Sequence, residues 1–134
     1  MKETIRSDIE VAPTSVVLQT ARDFAKTLGE TPLFIEFVKS HDVFRLDVEA
    51  QKIQQEYLKK QASLKALLML NAASEEDRKE LQDLQEKFSQ RPSVIRLIRA
   101  QDELISVCQE IGDLISKEIG MDYASSCRTG GCCG

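Results

Sequence analysis

The sequence predicts an all-α protein: a bundle of about five helices, with long antiparallel members and a flexible Cys/Gly-rich tail at the C-terminus. Three observations predict it. Apolar residues recur at spacings of three and four along most of the chain. Each of the three prolines, Pro13, Pro32 and Pro92, stands where a helix begins, because the first turn has no intrahelical use for the N–H that proline lacks. The composition of the 134 residues is 42% hydrophobic and 30% charged but only 5% aromatic, with no Trp and six Gly, too few turn formers for a sandwich or barrel. A chain of this length buries roughly two-thirds of the surface its unfolded form exposes, so one compact unit is expected.

After a polar lead of about twelve residues, Pro13 opens a first helix whose apolar stripe is Val17, Ala21, Phe24 and Leu28, stopped by Gly29. Thr31 caps a second, with Pro32 at its first position and Phe34, Phe37, Val38, His41 and Phe44 on one face. Run unbroken to Leu70, that helix would reach about 60 Å, several times the usual length, so a break is expected and Asp47 is its best cap. The third helix carries Ala50, Ile53, Tyr57, Leu64 and Leu67/Leu68, with Gln61 interrupting the stripe, as far as Asn71. Ser74 and Asp77 form a capping-box pattern for a fourth, in which Leu81, Leu84 and Phe88 make a narrow apolar face. Gln90-Arg91-Pro92 ends it, since the residue before proline is pushed out of the α region. The fifth helix runs from Pro92 to about Ile119, roughly 42 Å, and Gly120 closes it. Gly112 lies inside it at a cost of about 1 kcal/mol relative to Ala, which either reflects close approach by a neighbour or has no packing meaning.

Beyond Tyr123 the composition changes to ASSCRTGGCCG, where nothing can anchor a core. The division read from this shift is a helical bundle over 1–123 and a cysteine-rich tail over 124–134. No internal repeat is present.

The formal charge of −4 argues against direct binding of nucleic acid or an anionic membrane surface. No stretch approaches the ~20 apolar residues of a membrane span, and no secretory leader is recognised, so the chain reads as cytoplasmic. In a reducing compartment four cysteines are not expected to form structural disulfides. Cys127, Cys132 and Cys133 crowd the last eight residues in a C-x4-C-C spacing among glycines, with Arg128 beside them to favour the thiolate. Such sulfurs suit a soft metal or an iron–sulfur cluster, but four ligands are the rule and the tail supplies three. Cys108 is in register with Leu104, Ile105, Ile111 and Ile115 and reads as a core thiol, and His41, among its phenylalanines, reads as packed. A sulfur from another chain is therefore the expected fourth ligand. A solvated stub, and a minor Cys132–Cys133 disulfide, are the alternatives for the tail.

Enzyme signatures are missing: there is no Gly-rich loop after a strand, no G-x-S-x-G, no H-E-x-x-H and no C-x-x-C, and the single His excludes a triad needing a second. Glu75, Glu76, Asp77, Glu80 and Asp83 read as a solvated face that complements a helix dipole. Arg91, Arg96 and Arg99 make a small basic patch, read as ordinary surface charge, although a partner's carboxylate or an RNA phosphate could dock on it.

Two stretches, TPLFIEFVKSHDVFRLDVEAQKIQQEY and RPSVIRLIRAQDELISVCQEIGDLISKEIGMDYA, followed by the Gly-Cys-Cys-Gly end, resemble the YlbF/YmcA family of small helical bacterial proteins. The resemblance extends from about Ala12 to the terminus. It implies a non-enzymatic regulatory adaptor in competence, biofilm and sporulation control, associating with itself as a homo-oligomer and with family relatives. It further implies a complex with a YaaT-type protein linked to ribonuclease Y and RNA processing, and tail cysteines that bind an iron–sulfur cluster. Carried onto this chain, those ligands are Cys127, Cys132 and Cys133, the cluster being of the 4Fe-4S type with zinc as the alternative. A rival from another class is a small thiol-redox or metal-delivery protein using the Cys132-Cys133 pair.

Overall fold

Amphipathic segments separated by capping residues form helices whose order along the chain is that of their apolar stripes. The structure, a computed structural model, describes residues 13–128, and the side chains of the last two of these are not described. All the elements found there are helical: α1 Thr14–Gly29, α2 Pro32–Leu46, α3 Val48–Met69, α4 Glu75–Ser89, α5 Pro92–Ile119 and α6 Tyr123–Arg128. The all-α expectation is met, five long helices fall where the sequence places them, and one short helix is added.

The ends explain the segmentation. The Thr31 hydroxyl donates to Leu28 O at 2.7 Å and accepts from Phe34 N at 3.3 Å, closing α1 and opening α2 with one side chain. Asp47 breaks α2 from α3 and accepts from Ala50 N at 3.0 Å. Asn71, at φ 53°, ends α3 in a Schellman arrangement, with Ala72 N donating to Leu67 O at 2.8 Å and Asn71 N to Leu68 O at 3.2 Å. Both halves of the Ser74/Asp77 capping box are made, so an Asp at this position suffices where a Glu is more usual. Gly120, at φ 71°, ends α5. Gly29, by contrast, is the last residue of α1 and is not left-handed; the chain leaves that helix through Glu30.

The helix missed from sequence is α6. Asp122 supplies its cap, accepting from Ser125 N at 3.2 Å and from the Ser125 hydroxyl at 2.5 Å, while Tyr123 N donates to the Ser116 hydroxyl at 3.1 Å. The D-Y-A-S pattern carried that signal, but a composition rich in Ser and Gly hid it.

α2 packs antiparallel to α5, and α3 packs antiparallel to α4. The two pairs meet where the C-terminal ends of α2 and α4 approach the N-terminal ends of α3 and α5. The break between α2 and α3 is thereby laid against the break between α4 and α5. Phe44 and Phe88 meet there edge to face, with centroids 6.0 Å apart. The buried apolar residues Ala50, Ile53, Val94 and Ala100 lie in the helices that converge on this junction, together with buried Ser40 and Ser93. Along the α3/α4 pair, Leu64 is buried and Lys60 is held by Asp77 and Glu80.

Candidate functional site

Two kinds of place in this molecule can be weighed for function: the polar junction and an open apolar groove. At the junction Asp47 does several jobs at once. It caps α3, accepts the Ser93 hydroxyl at 2.6 Å, and takes Arg91 Nη2 on both carboxylate oxygens at 2.8 and 2.9 Å. The side chain is only 14% exposed. The Ser93 hydroxyl, the Ala50 amide and the Arg91 guanidinium hold its carboxyl at about 2, below its ordinary 3.8. Among the described residues the Ala50 amide caps α3 while Arg91 and Ser93 tie Asp47 to the start of α5, which makes the cluster an anchor between the two helices.

The basic patch read from sequence is resolved in the same way. Arg91 belongs to Asp47, and Arg96 forks onto Glu36 at 2.7 and 3.1 Å, tying α5 to α2 and drawing the Glu36 carboxyl below its ordinary value. Arg99 alone of the three forms no ion pair among the described residues. Two of the three residues read as ordinary surface charge are thus interhelical ties.

The groove lies at the other end of α5. α1 contributes Val16, Val17, Thr20, Ala21, Phe24 and Leu28, and the distal half of α5 contributes Cys108, Ile111, Gly112 and Ile115, with Tyr123 of α6 at the rim. Its volume is about 640 Å³ and no ionised side chain lines it. The 3.6-residue stripes of both helices were legible in the sequence; that they face each other across open space was not. α1 buries no residue, and Val17 and Phe24 are 56% and 47% exposed.

Two expectations are corrected here. Cys108 is exposed, not a core thiol, because the helix that faces its stripe stands off instead of closing on it. His41 is likewise exposed on α2, its ring 6.5 Å from that of Phe37, since the pairing of α2 with α5 turns other positions inward. Gly112 meets no atom within 4 Å of where its Cβ would stand, so no neighbour among the described residues requires a glycine there.

Of the expected cluster ligands, Cys127 falls in α6 with its side chain not described, and Cys132 and Cys133 lie outside the described residues. Among the described residues no group of three or more His, Cys, Asp or Glu converges on a possible metal position. No helix among them is long and apolar enough to cross a membrane.

The fold and this groove define a class: a small helical protein whose distinctive surface is an uncharged, unfilled helix face of the kind that other helices cover. The comparison with family models narrows it. The family described as control of competence regulator ComK, YlbF/YmcA, matches residues 17–120, well over half the chain, and the protein belongs to that family of regulators. It is a regulatory family and not a known family of enzymes. The matched span contains α2 to α5 and nearly all of α1, and it stops short of the tail cysteines. Among curated proteins none matches the chain.

Proposed function

We propose that this chain is a non-enzymatic adaptor in competence, biofilm and sporulation control. In this reading it works in the cytoplasm by assembling with family relatives and with a YaaT-type protein linked to ribonuclease Y. The observation that carries the reading is the uncovered apolar face of α1 and distal α5 in a member of a regulatory family. Contiguous exposed apolar patches mark association surfaces or ligand-binding grooves, and a groove without converging polar groups favours the former.

The tail adds a second element. Three thiols within seven residues, Cys127, Cys132 and Cys133, fit three corners of a 4Fe-4S cluster and leave one corner for a sulfur from another chain. Zinc is the alternative occupant of the same donors. A cluster bound there supplies a covalent link that depends on iron and redox state. The chain's own contribution is to bring three soft donors within seven residues of sequence, Cys127 in α6 with Arg128 beside it to favour the thiolate, and Cys132 and Cys133. The support for this part is the donor chemistry and the resemblance of the Gly-Cys-Cys-Gly end to the family's tail.

Anaerobic co-purification with a YaaT-type partner tests the proposal. A brown complex that loses its visible absorbance in Cys132→Ser and Cys133→Ser is expected. A colourless complex that keeps full affinity in both variants removes the cluster, and failure of any family relative or YaaT-type protein to bind removes the adaptor reading.

A further inference from the structure

We infer that Cys108 and Cys127 form a reversible internal disulfide, a redox-sensitive latch that pins α6 to α5 and withdraws Cys127 from the tail's donor set. The inference deepens the cluster reading, since Cys127 is one of its three proposed donors, but the bond itself requires no metal.

Backbone placement carries it. The turn over residues 120–122 sends α6 back along α5, against which it packs. The Ser116 hydroxyl fastens the return, accepting from Tyr123 N at 3.1 Å while donating to Gly112 O at 2.8 Å. Cys108 and Gly112 line two cavities at once. One is the groove that Tyr123 rims, and the other, on the opposite flank, includes Leu104, Gln109, Asp113 and Ala124 in its wall. α6 therefore lies along the ridge between them, with Tyr123 to one side and Ala124 to the other. Position 127 comes four residues after Tyr123 and three after Ala124, so by helical register it falls between them on the same face. From the cavity that Ala124 shares with Gly112, three residues forward on α6 advance about 4.5 Å and four residues back on α5 about 6 Å, which brings positions 127 and 108 level. Gly112 and Ala124 are small, so the axes can approach to about 8 Å and facing Cα atoms to about 4–6 Å, the span a disulfide needs.

Cys108 is exposed, and an accessible thiol beside a second one is the arrangement that redox sensing uses. The oxidant is a low-molecular-weight disulfide such as oxidised glutathione. The Cys127 thiolate, with Arg128 next in sequence, attacks one of its sulfurs, breaking that S–S bond and releasing one thiolate. The Cys108 thiolate then attacks the Cys127 sulfur of the mixed disulfide and releases the second. Two protein thiols lose two electrons, the reagent gains them, and the two thiol protons end on the released thiolates. In a reducing compartment the same exchange runs backwards, which makes the bond transient.

Full-length protein carrying Cys132→Ser and Cys133→Ser keeps Cys108 and Cys127 as its only thiols. Equilibrated at micromolar concentration with reduced and oxidised glutathione, it should become a single uncrosslinked chain lighter by about 2 Da, with neither free thiol nor glutathione adduct, and should revert in excess reduced glutathione. Adding Cys127→Ser and Ser125→Cys moves the thiol to the opposite face of α6 and should lower the equilibrium constant for the internal bond about tenfold, whereas chance encounter of a loose end with Cys108 would not distinguish the two positions. The Asp122 side chain still accepts from the residue 125 amide in that variant, so the helix keeps its cap. Glutathione adducts or linked dimers without the internal bond, or equal constants for a thiol at 125 and at 127, overturn the inference. No iron enters these measurements, so their failure leaves the cluster reading standing, and a colourless partner complex leaves this bond standing.

Discussion

The two ends of α5 obey the same helical code and reach opposite outcomes. At its N-terminal end, Arg91 and Ser93 are tied to Asp47 and Val94 is 2% exposed. At its C-terminal end, an equally regular stripe of Cys108, Ile111 and Ile115 faces α1 across an open groove. Periodicity is common to both. What differs is the presence of a polar residue that reaches across and holds the partner helix, which teaches that an amphipathic stripe specifies a face to be covered without specifying what covers it. Among the described residues five apolar side chains are buried, all of them in α3 and α5, which meet at the two coinciding breaks, while twenty large ones are exposed.

The largest effect expected from that contrast is at Asp47. Asp47→Ala removes the α3 cap and leaves Arg91 and Ser93 without their acceptor, and should lower Tm by roughly 10 °C, read by circular dichroism. An unchanged Tm would mean that the junction is no anchor at all. Next comes a matched pair of deletions. Val94→Ala should cost about 2 kcal/mol in urea unfolding, because it opens space in a packed site. Val17→Ala removes the same atoms from an open wall and should cost less than about 0.5 kcal/mol. Equal costs would erase the distinction between the two ends. The smallest effect is in pH. The folded-state Asp47 carboxyl lies at about 2 against an ordinary 3.8, so on acidification the unfolded chain takes up that proton first. The stability it contributes is fully present above about pH 4 and is lost as the pH falls toward 2. Glu36 and Asp77, also held below their ordinary values by Arg96 and by Ser74 and Lys60, share the direction. Asp47→Asn should flatten the fall between pH 4 and 2, and a variant with the wild-type slope would assign the acid sensitivity to the other two.

Much of the architecture was legible because its signals are local. A threonine beside Pro32, an aspartate at a necessary break, a Ser/Asp box and a glycine at the end of a long stripe each act on backbone groups within four residues. Asp122 is an equally local cap, but the serines and glycines that follow it have the composition of a tail and mask its signal. Cys108 and His41 differ from expectation for another reason: their stripes are regular, but burial depends on whether a second helix arrives.

By itself the sequence determined that the chain is helical, where five of its helices begin and end, which family it resembles, and that three thiols gather near its end. These follow from capping, proline geometry and a 3.6-residue period, all of which operate over a few residues. Only the tertiary structure decided that Asp47 meets Arg91 and Ser93 more than forty positions away, so that two helix breaks become one junction. It alone decided, too, that among the described residues the stripe of α1 and the far stripe of α5 face each other across an open groove. Contacts of that range depend on how rigid helices of fixed length pack in space, and no local pattern of residues encodes the packing.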